Sequence, residues 1–188
     1  MGSKVKLKTH AITTVFAAML LLINNLFSYV YAADDTATIT ITGTVKANTC
    51  AIDDNSKNQT VPLPDISDRD IQKSKTAGER SFNIILTGCG AAASAVKVTA
   101  SGTADENDGM AFANNVSSSE GGATGVGVYV YETDNATQFK PDGSTTETST
   151  LTPSQDNTLT YKVAYVGTQN TATAGKFSSI MNMKFEYQ

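Results

Sequence analysis

Thr36-Ala37-Thr38-Ile39-Thr40-Ile41-Thr42-Gly43-Thr44-Val45 alternates apolar or small residues with threonines. A period of two is the signature of a β-strand, because successive side chains point to opposite faces. Ala37, Ile39, Ile41, Gly43 and Val45 therefore share one face, and the threonines share the other. Only Ala33-Asp34-Asp35 would precede this strand once the leader described below is removed. No turn signal comes before it to fold it back onto another strand. The segment thus has the pattern of a strand and the position of a free arm.

The first 32 residues read as an export leader. Lys4, Lys6 and Lys8 give a positive start without acidic residues. An apolar run from Ala11 to Val30 follows, and Val30-Tyr31-Ala32 has small residues where signal peptidase reads. Asn24 and Asn25 interrupt the run, which argues against a membrane-spanning helix of about 20 apolar residues. The expected organisation is a signal peptide over 1–32, an N-terminal extension over 33–46 and one domain over 47–188.

Composition excludes several functions. Removing Lys4, Lys6 and Lys8 from the 14 basic residues leaves 11 against 18 acidic ones, a net charge of −7. Such a surface does not attract phosphates, so nucleic acid is not an expected partner. His10, the only histidine, lies in the leader. The exported chain thus lacks the usual general base near neutral pH and the commonest metal ligand. No catalytic residue, metal site or cofactor is expected. Acidic pairs such as Asp53-Asp54 read as solvated loop charges. Cys50 and Cys89 remain, and an even cysteine count in an exported chain reads as a disulfide. Two unpaired buried thiols are the alternative.

Period-two segments recur through the rest of the chain. They lie at 81–86 (Phe82, Ile84, Leu86), 95–100 (Val96, Val98), 125–132 (Val126, Val128, Val130) and 159–166 (Leu159, Tyr161, Val163, Tyr165). The last, 177–187, sets Phe177, Met181, Met183, Phe185 and Tyr187 opposite Ser178, Asn182, Lys184 and Glu186. Residues 104–109, 116–122 and 140–156 read as polar surface loops, and 65–79 as a short helical turn or a crossover. The expected fold is an all-β sandwich of two antiparallel sheets.

The order of motifs resembles chaperone–usher fimbrial subunits, in particular the type 1-like major pilin family. Gly43-Thr44-Val45-Lys46-Ala47-Asn48-Thr49-Cys50 is similar to that family's donor-segment glycine, seven residues before its first cysteine. Phe82-Asn83-Ile84-Ile85-Leu86-Thr87-Gly88-Cys89 matches its Phe-x-Ile-x-Leu-x-x-Cys spacing. Val61-Pro62-Leu63-Pro64 is similar to a short strand that commonly ends in glycine, where this chain has Pro64. Gly102-Thr103-Ala104 and Gly125-Val126-Gly127-Val128 resemble further family segments. Gly175, fourteen residues from the C-terminus counting inclusively, and the penultimate Tyr187 follow its terminal signature, while Lys176 and Phe177 depart from it.

The resemblance implies an immunoglobulin-like sandwich that lacks its last strand. A donor strand from a chaperone, and then from a neighbouring subunit, would complete it. It implies pairing of Cys50 with Cys89. It makes Ala37, Ile39, Ile41, Gly43 and Val45 the donor strand. It assigns Gly175, Phe177, Met181, Met183, Phe185, Tyr187 and Gln188 to the acceptor groove and the chaperone contact, with the Gln188 carboxylate held by basic chaperone residues. The implied partners are a periplasmic pilus chaperone, an outer-membrane usher and copies of this or related pilins. The implied destination is the cell-surface fimbrium, reached through the periplasm, where the chain would polymerise and support cell adhesion. Two other readings stand beside this one: a minor or adaptor pilin of the same fibre, and a monomeric periplasmic immunoglobulin-like binding module.

Overall fold

Eleven short elements make up the domain, nearly all of them strands, as the scarcity of helical periodicity requires. The computed structural model describes residues 37–43 and 49–188. The expected leader over 1–32, the residues 33–36, and 44–48 with Val45 and the boundary at 46/47 lie outside the described residues. Residues 37–43 form no hydrogen-bonded strand, and all seven are exposed. They belong to a separate unit from the one that begins at Thr44.

The domain carries β1 (Ala51–Ile52), a one-turn helix α1 (Asp54–Lys57), β2 (Thr76–Thr87), β3 (Ala95–Gly102), β4 (Phe112–Ala113), β5 (Val126–Tyr131), β6 (Asp142–Thr150), β7 (Asn157–Gly167) and β8 (Met181–Tyr187). Short 3-10 turns at Asp68–Asp70 and Ser118–Glu120 complete it. One sheet has the order β1-β2-β7-β5-β4, the other β6-β3-β8, and every pairing is antiparallel. This is the all-β, two-sheet, immunoglobulin-like arrangement anticipated above.

Alternation explains the core. Ile84 and Leu86 of β2, Val96 and Val98 of β3, Val128 and Val130 of β5, and Leu159, Tyr161 and Val163 of β7 are buried in a single cluster. Phe139 joins them, with its ring 5.9 Å from that of Tyr161. Burying each large side chain stabilises by roughly 1.5–3 kcal/mol.

Two expectations need correction. Residues 142–150, expected within a loop, form the edge strand β6. Its threonines, serines and glutamate carry no apolar alternation, because an edge strand can turn hydroxyls both outward and toward the sheet interface. Residues 61–64 are not a paired strand, although Val61 and Leu63 alternate in burial with Pro62 as a strand would. The 65–79 segment holds a 3-10 turn and then the start of β2, which combines the two readings offered for it.

The disulfide joins Cys50 to Cys89. It sits where β1 pairs with the end of β2, Ala51 opposite Thr87 and Ile52 opposite Leu86. The cross-link spans a sequence separation of 39. In the chain-entropy account, a loop of that size is worth about 4 kcal/mol. Replacing both cysteines with alanine is therefore expected to lower unfolding stability by about 4 kcal/mol in denaturant titration. A change under about 1 kcal/mol would mean that the pairing of β1 and β2 holds this corner alone.

Candidate functional site: the free edge of β8

β8 is the last strand of the chain and has one partner, β3, among the described residues. Its register runs from Met181 opposite Gly102 to Tyr187 opposite Val96, without a shift. Beyond its end, Gln188 and Ala95 exchange backbone hydrogen bonds of 2.9 and 3.4 Å. In an antiparallel ladder such bonded pairs alternate with unbonded ones. Glu186, Lys184 and Asn182 therefore bond to β3. Met181, Met183, Phe185 and Tyr187 turn their N–H and C=O groups to the other side, where no described strand pairs with them.

The same four residues carry the apolar side chains. Their inward face is only half-buried, with each of the four intermediate in exposure. On β3, one strand over, Val96, Val98 and Ala100 are 0 % exposed. Two adjacent strands of one sheet thus meet different surroundings, and only β3 has a neighbour on both sides. Ile52, Val61, Leu63 and Phe82 are likewise half-buried against the same core. Val61 and Phe82 also line a cleft of about 400 Å³ between residues 59–62 and 80–83.

Phe177 lies before β8, not within it, yet packs edge-on against Tyr165 with ring centroids 5.2 Å apart. Tyr165 in turn crowds Gly78, beside Pro64 and Ile66. Gly78 has a φ of +60°, which strains any side chain, and a Cβ there would press on the Tyr165, Ile66 and Pro64 side chains. Pro64, which replaces a commoner glycine, is thereby a packing residue at this corner.

Gly175 sits at a close approach of two backbone segments. A Cβ there would lie 2.5 Å from the Ala123 nitrogen and 2.6 Å from the Gly122 carbonyl carbon. It lets two backbones approach, where Ala123 N donates to the Lys176 oxygen at 2.9 Å and Lys176 N donates to the Gly121 oxygen at 2.8 Å. Gln188 is also engaged within the chain, since its carbonyl oxygen accepts from Ser94 N at 3.0 Å and from Ser94 Oγ at 3.3 Å. Ile39 and Ile41 are 81 % and 91 % exposed. Ala37 and Gly43 are exposed too, and nothing lies within 4 Å of a Cβ built on Gly43. Sequence reasoning missed Ile180, an exposed apolar residue next to β8, and Asn114, whose bonds are described below. A polar residue that bonds distant backbone leaves no periodic trace.

The electrostatics are quiet. Burial raises the Tyr187 phenol above its ordinary value. Burial, and then the Asp65 carboxylate, do the same for Tyr165. Among the described residues no group of three or more His, Cys, Asp or Glu could hold a metal ion. What this edge can do is bind backbone and apolar side chains.

Residues 39–188 match the model of the family described as Fimbrial protein. The chain belongs to that family. Among its relatives in the fimbrial family, the laminin-binding fimbrial subunit ElfA of Escherichia coli O157:H7 is 36% identical over 168 residues, covering 85% of this chain and 90% of the relative. The S-fimbrial protein subunit SfaG of Escherichia coli O6:K15:H31 (strain 536 / UPEC) is 30% identical over 94% of this chain and 96% of the relative. The fold is that of solved fimbrial subunits. The P pilus rod subunit PapA superposes with a TM-score of 0.62 at 21% identity, covering 74% of this chain and 99% of that one. A subunit from a chaperone–usher pilus structure gives 0.62 at 20% identity, covering 84% and 99%. The fimbrial family is one of structural subunits of surface fibres, not of enzymes, and this chain is such a subunit.

Gly175→Ala tests the backbone approach that holds the segment before β8. The added methyl meets backbone on every side, which does not yield as a flexible side chain would. A loss of roughly 1–3 kcal/mol is expected from such overpacking, read as a lower unfolding midpoint. An unchanged midpoint would mean that the 121–123 loop moves freely.

Proposed function

We propose that this fimbrial subunit polymerises by strand complementation. The arm at 37–45 of one subunit adds to the free edge of β8 in the next. The single observation that carries this reading is the contrast between β3 and β8. The inner face of β3 is 0 % exposed, while that of β8 is half-exposed and accompanied by unpaired backbone. An open strand edge is a template for another strand. Adding a strand there satisfies the backbone of Met181, Met183, Phe185 and Tyr187 and covers their side chains at once. This mode of β-augmentation is the recognised one for chaperone–pilin complexes.

The donor arm has matching parts. Seven residues of strand reach about 23 Å at 3.3 Å each, the length of β8. Ile39 and Ile41 on one face offer roughly 3–6 kcal/mol of burial before ordering entropy. Gly43 adds no side chain and suits a narrow point in the acceptor. Val61 and Leu63 of the unpaired 61–64 segment, half-buried against the same core, are further apolar side chains left part-covered in the lone subunit. On this reading a periplasmic chaperone occupies the edge in transit. An outer-membrane usher then passes the subunit to the cell surface, and the fibre supports adhesion. The role is structural, without a catalytic step.

Two tests follow from this arrangement. The full chain without a chaperone is expected to self-associate. Fusing a copy of residues 36–46 after Gln188 through a flexible linker is expected to give a stable monomer by analytical ultracentrifugation. A chain lacking residues 33–45 that is monomeric and cooperatively folded alone would remove the need for a donor.

Ile41→Asp separates the arm from the domain. A carboxylate in an apolar groove is costly and is expelled or protonated. Chaperone-bound subunit is expected at near normal levels, with fibre incorporation falling sharply on electron micrographs and immunoblots. Loss of the chaperone-bound form instead would make residue 41 part of its own domain's core.

A further inference from the structure

We infer that Asn114 is a positioning residue for strand acceptance, holding the segment that leads into β8 so that the free edge keeps its shape while empty. This rests on the strand-acceptor reading of β8.

Asn114 follows β4 and is half-buried. Its Oδ1 accepts from Val116 N at 3.1 Å and from Ser178 N at 3.0 Å. Its Nδ2 donates to the Ala123 oxygen and to the Lys176 oxygen, both at 2.9 Å. An asparagine side chain has two acceptor sites and two donors, so all four are in use. Two of the four go to backbone at positions 176 and 178.

Other bonds hold the same stretch. The Lys176 oxygen also accepts from Ala123 N, and Asn115 N donates to the Ser178 oxygen at 2.7 Å. Phe177 lies between these anchors and presents its ring to Tyr165. Three residues after Ser178 the chain becomes β8, and from there β3 is its one strand partner among the described residues. At its far end the Gln188 oxygen is held by Ser94. β8 is therefore fixed at both ends and along one edge, which leaves the other edge for a ligand strand. An acceptor ordered in advance loses less freedom when its partner binds.

Uptake of an excess of a fluorescent peptide of residues 36–46 by the refolded full chain, diluted until sedimentation shows it to be monomeric, tests this assignment, alongside global unfolding and amide exchange. Asn114→Ala is expected to weaken uptake roughly tenfold, the loss of about one to two hydrogen bonds. Exchange should accelerate at 176–187 while β2 and β7 stay protected, a pattern that a merely structural loss of stability would not give. Asn114→Asp keeps both acceptor bonds, cannot donate, and sets a carboxylate against two carbonyls. It should weaken uptake at least as much, and it carries the comparison if the alanine variant does not fold. Unchanged uptake in the variants, or exchange that rises uniformly across β2, β7 and β8, overturns the role of Asn114 alone. A wild-type chain that takes up no peptide overturns the strand-acceptor reading, and this assignment with it.

Discussion

The edge of β8 that pairs with no other strand among the described residues is the constraint on which the rest of the structure depends. In a strand of period two, the residues that point inward all direct their backbone groups to the same edge. Met181, Met183, Phe185 and Tyr187 therefore lose water-free packing and hydrogen-bond partners together. Neither deficit can be repaired by moving a side chain, because both come from a missing neighbour. The central position of β3 and the hydrogen bonds that hold residues 176–178 keep β8 in place despite it. An isolated strand with one partner would otherwise fray.

The opposite edge of the same sheet is arranged differently. β6 carries Glu147, only 5 % exposed, on its inner face. The Glu147 Oε1 accepts from Thr133 N at 3.3 Å, from Thr133 Oγ1, and from Ser149 Oγ at 2.8 Å. These bonds tie the loop after β5 onto β6. An inward-pointing charge is one of the ways that edge strands avoid casual pairing. Glu147 Oε2 and the Tyr161 hydroxyl are buried without a partner among the described residues. Burial, and then the Glu147 carboxylate, push the Tyr161 phenol above its ordinary value. Burial, followed by Glu147 and Asp134, raises the carboxyl of Glu132. One edge of the sheet is thus polar and covered, and the other is apolar and open.

Much of this was legible in the sequence wherever one face of a strand is buried. The alternations at 81–86, 95–100, 125–132 and 159–166 each correspond to a core strand, because the core selects apolar residues at every second position. β6 was not legible, because its inner face carries Glu147 and Ser149, bonded to each other and to Thr133, and needs no apolar repeat. Phe177 fits the alternation of β8 by spacing yet lies before it, where the chain is bonded to the 114–123 loop. The importance of Gly175 was visible, but its reason was not. Spacing from the C-terminus marks a glycine, while only the approach of Ala123 N explains why a side chain is excluded. Asn114 left no signal, since its four bonds join residues that are far apart in the chain.

The disulfide has a mechanical consequence. Cys50 follows Gly43 by seven residues and is bonded to Cys89, just beyond β2. In a fibre built as proposed, a pull on the arm enters the domain at Cys50. The covalent bond hands that force across to Cys89, at the foot of a twelve-residue strand that pairs along most of its length with β7. β1, α1, the 59–75 stretch and β2 all lie inside the cross-linked loop, so the covalent bond bypasses their backbone and passes the force on toward β3, which pairs with β8. Reduction would send the same force through β1, which two residue pairs hold to β2 and which would unzip one bond at a time. In such a fibre the redox state of this pair would decide whether the subunit is a link that resists stretching or one that unravels from its own N-terminus.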